Sequence, residues 1–489
     1  MRRKPRLSII ALALAAIAAA PAAAQAPLSA SDWLSGGTPP AREASGWRPG
    51  DPRPQHGATP DPAQTRTPSG PPVARTGSVG RVTVSRLDGG DPDAAGTITP
   101  AAAGLPADLW AGSDPATLAG MIARTPARLP AMTALMQRLL LVQLPPPPGD
   151  SARGELFLAR ADRLLEMGDL AAARALLIQQ AGNRHPEVYR RLFDIAMLDG
   201  NEGQACAMMN RTPGISPGHA ARIFCLAQSG DWSAAAIVLH GAGDLGLIDP
   251  PRIDLLHQFM DDSYVDSGQA LTPPDPLTPL DFRMMEAVGQ PLPTAPLPIA
   301  FAHSDLRPST GWKARLEAAE RLAAAGVLPA AEMQAIYAEQ RPAASGGVWE
   351  RAAAVQALTA PDGITDAALI RADTAFAAAG FSDVLAAIMA PRLSGLSPDT
   401  PAAQEALARL RDWTGEGSAP ALPDPADPPA DRKGEALMRA MADIDAGIDG
   451  DETRAARGLS MLRALGLERD AALAAGQIPL ERQQAAHPR

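Results

Sequence analysis

Apolar residues recur through the middle of the chain with the spacing of paired helices. Between residues 151 and 244 one phrase occurs three times: RLLEMGDLAAARALL from Arg163, DIAMLDGNEGQACAMM from Asp194 and FCLAQSGDWSAAAIVL from Phe224. Each copy is an apolar helical run, a glycine turn and a second apolar run that opens on small residues. In each, an alanine stands five residues after the turn glycine: Gly168 and Ala173, Gly200 and Ala205, Gly230 and Ala235. The copies are offset by 32 and 30 residues. Tandem units of that length predict stacked helical hairpins, each burying its apolar face against its neighbours.

The flanks follow the same helical period. Residues 105–148 predict an N-terminal helical cap, with helices at about 115 to 124 and 130 to 143. Asp114 and Pro115 open the first, and Pro145 to Pro148 stop the second. Over 245–310 prolines recur often enough to predict an irregular segment with short helices at Ile253 to Tyr264 and Pro279 to Val288. Helical hairpins resume over 311–414, at Trp312 to Gln340 with a break at Gly326, then Val348 to Leu358, Thr365 to Ala379, Phe381 to Ala390 and Pro401 to Trp413. An acidic, proline-rich linker occupies 415–432. Helices at Gly434 to Ala446 and Thr453 to Gly476 close the chain over 433–489 and are expected to dock back as a C-terminal cap.

The N-terminus lacks this pattern. Residues 25–104 are dense in Pro, Gly, Ser, Thr and Asp with few apolar clusters, a composition that cannot bury enough surface to offset its ordering entropy. They predict a long disordered tether. Within it VGRVTVSRL, residues 79–87, alternates like one short strand and is a candidate docking segment. Residues 1–24 join a basic MRRKPR, an apolar run from Leu7 to Ala20 and a small-residue end at Ala22 to Ala24. That order predicts a signal peptide cleaved after Ala24 and delivery to the periplasm. The run is shorter than the roughly 20 residues a spanning helix needs, and no later segment qualifies, so no transmembrane segment is expected after cleavage. The fold class expected is mainly α, a helical-hairpin solenoid behind a tether.

Composition adds two constraints. Hydrophobic residues make up 46% but aromatics only 4%, so Ala and Leu must build the core. The formal net charge is −10, and loss of the basic leader makes the remainder more acidic. Nucleic acid and anionic membranes are poor partners for such a surface. The only cysteines are Cys206 and Cys225. By the repeat register they lie on the second helix of the second hairpin and the first helix of the third, which are packing neighbours. In an oxidising compartment they are expected to pair, closing a loop worth roughly 3 kcal/mol.

The hairpins resemble the tetratricopeptide repeat, a unit of about 34 residues with a turn glycine and a small alanine where its helices cross. Phe157, Ala161, Leu164, Gly168 and Ala173 carry the likeness in the first copy. Tyr189, Leu192, Gly200, Ala205 and Pro217 carry it in the second, and Gly230, Ala235 and Leu239 in the third. The resemblance implies a concave groove lined by the first helix of each hairpin. Transferred by position, that groove presents Glu155, Asp162, Glu166, Glu187, Arg190 and Asp194, an acidic face suited to a basic or N-terminal peptide. A solvated helix face is the competing reading.

Other motifs give little chemistry. Gly241, Gly243 and Gly246 satisfy GxGxxG, but a helix precedes them and Pro250 and Pro251 follow, so a helix-end loop is expected instead of a nucleotide site. Gly214, Ser216 and Gly218 satisfy GxSxG without a preceding strand, and Pro217 removes an oxyanion N–H. The run Asp443, Asp445, Asp449, Asp451 and Glu452 departs from calcium-loop spacing and reads as a polar turn. The histidines are scattered. No catalytic residue, metal ligand or cofactor is nominated. The function expected is an exported scaffold or adaptor for a protein or peptide partner in the cell envelope. The alternatives are an envelope enzyme or cell-wall-binding module with a site in 245–310, or a periplasmic accessory of a motility or secretion machine.

Overall fold

Helix starts and stops in this chain are written by proline and glycine. A computed structural model describes residues 90–148, 154–180, 185–261, 270–360, 363–418 and 420–484. The signal segment, its cleavage point and the strand-like stretch 79–87 lie outside them. Among the described residues the structure is helical, with one isolated bridge between Ile98 and Val142.

Where the sequence predicts tether up to residue 104, the structure already has a 3-10 turn at Pro92–Ala94 and a short helix α1 at Pro100–Ala103. Two buried polar groups anchor this segment. Asp93 accepts from the backbone N–H groups of Gly154 (3.0 Å) and Phe157 (2.7 Å) at the start of the helix Glu155–Glu166, whose N-cap glycine has no side chain to do so. Arg160, wholly buried, donates to the carbonyls of Leu140, Val142 and Ala95. Burial lowers its guanidinium to about 10, partly offset by Asp93. Neither group lies in an apolar pattern, so periodicity could not reveal them.

The cap follows as α2 (Pro115–Arg124) and α3 (Pro130–Leu141), each with proline in its first turn. The three hairpins are α4 (Glu155–Glu166) with α5 (Leu170–Ile178), α6 (Pro186–Asp199) with α7 (Glu202–Arg211), and α8 (His219–Gln228) with α9 (Trp232–Asp244). Gly168, Gly200 and Gly230 turn them at φ of 81°, 80° and 84°, which only glycine adopts freely. Ala173 and Ala235 are wholly buried, as expected of residues at close helix crossings. Successive helices from α4 to α9 touch in order, the arrangement of an α-solenoid.

Beyond them α10 (Pro250–Met260) begins at Pro250, so the proline pair opens a helix where an interruption was expected. The reason is that proline lacks only an N–H left unbonded in a first turn. Helix α11 (Pro279–Ala287) packs back on α6, and a 3-10 strap at Ile299–Leu306 crosses the hairpin turns. His303 Nε2 lies 2.7 Å from the carbonyl oxygen of Gly168, and Ser304 donates to that of Leu198 at 3.0 Å. The segment read as irregular is therefore a brace across the repeats.

Three further hairpins follow: α12 (Trp312–Ala324) with α13 (Ala330–Ala338), α14 (Gly347–Leu358) with α15 (Asp366–Ala377), and α16 (Ser382–Leu393) with α17 (Pro401–Thr414). The acidic linker is held against the C-terminal helix Glu452–Ala464, with Ser460 donating to the carbonyl of Asp424 at 2.5 Å. The C-terminal group is α18 (Lys433–Ala446), α19 (Glu452–Ala464) and α20 (Glu468–Gln484). One long helix was expected over Thr453 to Gly476. Gly466, at φ 81°, divides it.

These last helices do not simply cap the preceding hairpin. They pack on the N-terminal cap, closing the chain on itself. Arg128 bridges Asp445 and Asp449, Arg138 bridges Asp470, and the N–H of Ala131 donates to Gln477 at 2.9 Å. Gly458 lets α19 press on α18, since a Cβ there would meet the Ala440 oxygen at 2.5 Å. The buried residues accordingly form three cores. A hub joins the cap, the first hairpin and α18–α20. A first arm runs from α6 to α11, and a second from α12 to α17.

Candidate functional site

The first arm carries the features that a self-sufficient core leaves unexplained. Cys206 on α7 and Cys225 on α8 form its covalent staple, with Cα atoms 4.9 Å apart. The bond joins the second hairpin to the third, on the helices that the repeat register names.

Of the six residues expected to line an acidic groove, the structure brings four together around arginines. Asp162 receives Arg191 through two hydrogen bonds of 2.5 and 2.6 Å, and Glu187 receives both Arg190 and Arg191. Asp194 lies 3.8 Å from Arg190. Burial pulls the Arg191 guanidinium down, but the bonds to Asp162 and Glu187 outweigh it and leave it raised. Glu166 pairs locally with Arg163, and Glu155 stands exposed in the first turn of α4. The face that reads as acidic is a network of internal ion pairs. The missed signal was Arg191, which lies beside Arg190 in sequence but is turned to the neighbouring hairpin.

Arg190 and Asp194 instead form one wall of a cleft of about 270 Å³. Its floor is apolar, made by Phe193, Ile248 and Leu280. His219 and Arg252 complete it, the latter fixed by hydrogen bonds of 2.8 and 2.9 Å to the buried Asp281. Asp281 also closes the capping box of α11 with Thr278, so the helix start and the cleft wall share one carboxylate. Burial raises Asp194 to about 6, against the opposing pull of Arg190 and Arg191, and Asp162 and Asp281 add to the rise. Its charge therefore changes near neutral pH.

The opposite character appears on the second helices. Among the described residues the large apolar side chains left exposed are Ile178, Met208, Trp232, Ile237, Leu245 and Leu247. They lie on α5, α7 and α9 and in the loop after α9. A helix apolar on all sides normally lies buried. From Trp232 to Gly243, α9 carries no Asp, Glu, Lys or Arg, yet its outer side faces solvent. That run of uncharged residues was the available signal, and the repeat reading passed over it by looking to first helices alone.

The remaining motif residues have local roles. Ser216 Oγ donates to the carbonyl of Gly218 at 2.8 Å in the loop before α8. Gly241 and Gly243 lie inside α9. Asp443 pairs with Arg454 and Arg457, and Asp451 caps α19. No helix of the described residues is long and apolar enough to cross a membrane. No family model, curated protein or solved structure matches this chain.

Proposed function

We propose that the chain is an exported helical scaffold of the periplasm that holds a protein partner on its first arm. The observation that carries this reading is that, among the described residues, five of the six exposed large apolar side chains lie on that arm, the sixth being Ile178 at the end of α5. Surface of this kind, gathered on one part of a protein, marks an interaction site. The disulfide is in keeping with an oxidising compartment. The test is photo-crosslinking in the cell envelope from residues introduced at Met208 and Ile237, with exposed Glu332 of the second arm as control. Adducts are expected from the first two sites and not from the third. A protein that stays uncrosslinked at all three sites sinks the reading.

One observation favours a second reading, a small-molecule or cell-wall-binding site. Six of the cleft's lining residues, Leu247, Ile248, Asp249, Arg252, Thr278 and Leu280, lie within 245–310, and burial raises the cleft's Asp194 carboxyl to about 6. Binding of cell-wall fragments that is lost in Asp194→Asn, with the crosslinks unchanged, would favour it.

A further inference from the structure

We infer that the outer side of α9 and the loop after it dock a basic, amphipathic helical segment of another protein. This rests on the scaffold reading and names the partner's chemistry.

The apolar half of the argument is geometric. Ile237 is 72% exposed, Leu245 73% and Leu247 53%. Ile237 and Leu245 stand eight residues apart, so they lie on the same side of the helix about two turns from each other. Between them is Gly241, where an added Cβ would meet nothing within 4 Å. The side is thus two apolar knobs separated by a low saddle, a shape into which a partner helix can lay its own apolar ridge.

The charge half selects the partner. Asp244 and Asp249 are exposed beside the two leucines, and Asp254 is exposed on α10, the helix packed next to α9. Asp244 and Asp254 have no ion-pair partner among the described residues. The one arginine of this stretch, Arg252, is committed to the buried Asp281 and shared with Asp249. An apolar saddle edged by uncompensated carboxylates matches a helix with leucine-like residues on one side and Lys or Arg at its flanks. A second copy of this chain would bring like charge to the same edge, and an anionic lipid surface would do so too.

The test uses the full mature chain and a synthetic 18-residue peptide of Leu and Lys with helical amphipathic spacing. Two controls accompany it: the same composition scrambled to destroy the apolar stripe, and a Leu and Glu counterpart. Titration calorimetry should show the Leu and Lys peptide binding about ten-fold or more tightly than either control, with affinity falling as salt rises. The double variant Ile237→Glu, Leu245→Glu should weaken it about ten-fold or more. Asp244→Lys with Asp254→Lys should weaken it and flatten the salt dependence. This second pair lies on the exposed surface and gives a readout even if the first variant fails to fold.

Equal binding of the controls overturns the inference, as does wild-type affinity in either variant pair. Self-association of the chain that Ile237→Glu abolishes also overturns it, by placing a second copy on the face. If envelope crosslinks form from Met208 on α7 but not from Ile237 on α9, the scaffold reading stands and this inference falls. If no partner crosslinks anywhere, the scaffold reading itself falls.

Discussion

The two arms are built from the same unit and finish it differently. The second arm is closed. Trp312, Tyr337, Phe376 and Trp413 fill its core, and its buried carboxylates Glu320 and Asp373 are paired with Arg351 and Arg409. Glu320 accepts from Tyr337 at 2.7 Å and from Arg351 at 2.7 and 2.6 Å, and Arg351 lies over the ring of Phe381. The first arm instead relies on a disulfide, leaves leucine and isoleucine in water and keeps a half-polar cleft between its helix starts. An arm that only has to fold can bury all its large apolar side chains. One that must also receive a partner keeps some uncovered and offsets the loss elsewhere, here with a covalent bond.

The largest effect that would sharpen this contrast lies in the closed arm. Glu320→Ala strands Arg351 and the Tyr337 hydroxyl in the core and should cost about 3 to 5 kcal/mol in denaturant titration, while leaving the first arm's binding surface in place. Cys206→Ser with Cys225→Ser should cost roughly 3 kcal/mol, lost mainly from the first arm, so exchange of α7 and α8 amides should rise before that of α14. A uniform rise in exchange would break the comparison.

Next is the pH response of Asp194. Its native pKa of about 6 lies above the ordinary carboxyl value, so the folded state holds the proton more tightly than the unfolded chain. Stability from this group is complete below about pH 4 and falls as pH rises to 6. Asp194→Asn should remove that fall, gaining on the order of 2 kcal/mol over the wild type at pH 7. Equal stability differences at pH 4 and pH 7 would refute the assignment. Smallest on stability is Ile237→Asp, expected within about 0.5 kcal/mol of wild type by thermal unfolding because the side chain is already in water. A large loss would mean that α9 is covered within the folded chain.

Local features were legible in the sequence wherever they depend on period. The turn glycines, the crossing alanines and the pairing of Cys206 with Cys225 follow from the hairpin register, and the start at Pro115 from its proline, whereas Pro250 reads in the sequence as an interruption and in the structure opens a helix. What escaped depends on residues far apart in the chain. Nothing near Ala131 announces Gln477, and nothing near Asp93 announces Arg160. The candidate surface was half legible, since α9's missing charges are plain once its solvent exposure is known. The pairing of Asp162 with Arg191 was not legible, because a carboxylate's partner on the next hairpin cannot be counted from its own helix.

The closure of the hub bears on how the molecule comes into being. A repeat array can grow from one end, each unit settling on the last. Here the bond from Ala131 to Gln477 spans 346 positions, so a chain emerging N-terminus first leaves one side of α3 uncovered until Glu468–Gln484 arrives. The arms, with their separate cores, can form while the hub waits. Synthesis arrested before the last helix thus leaves finished arms and an open centre.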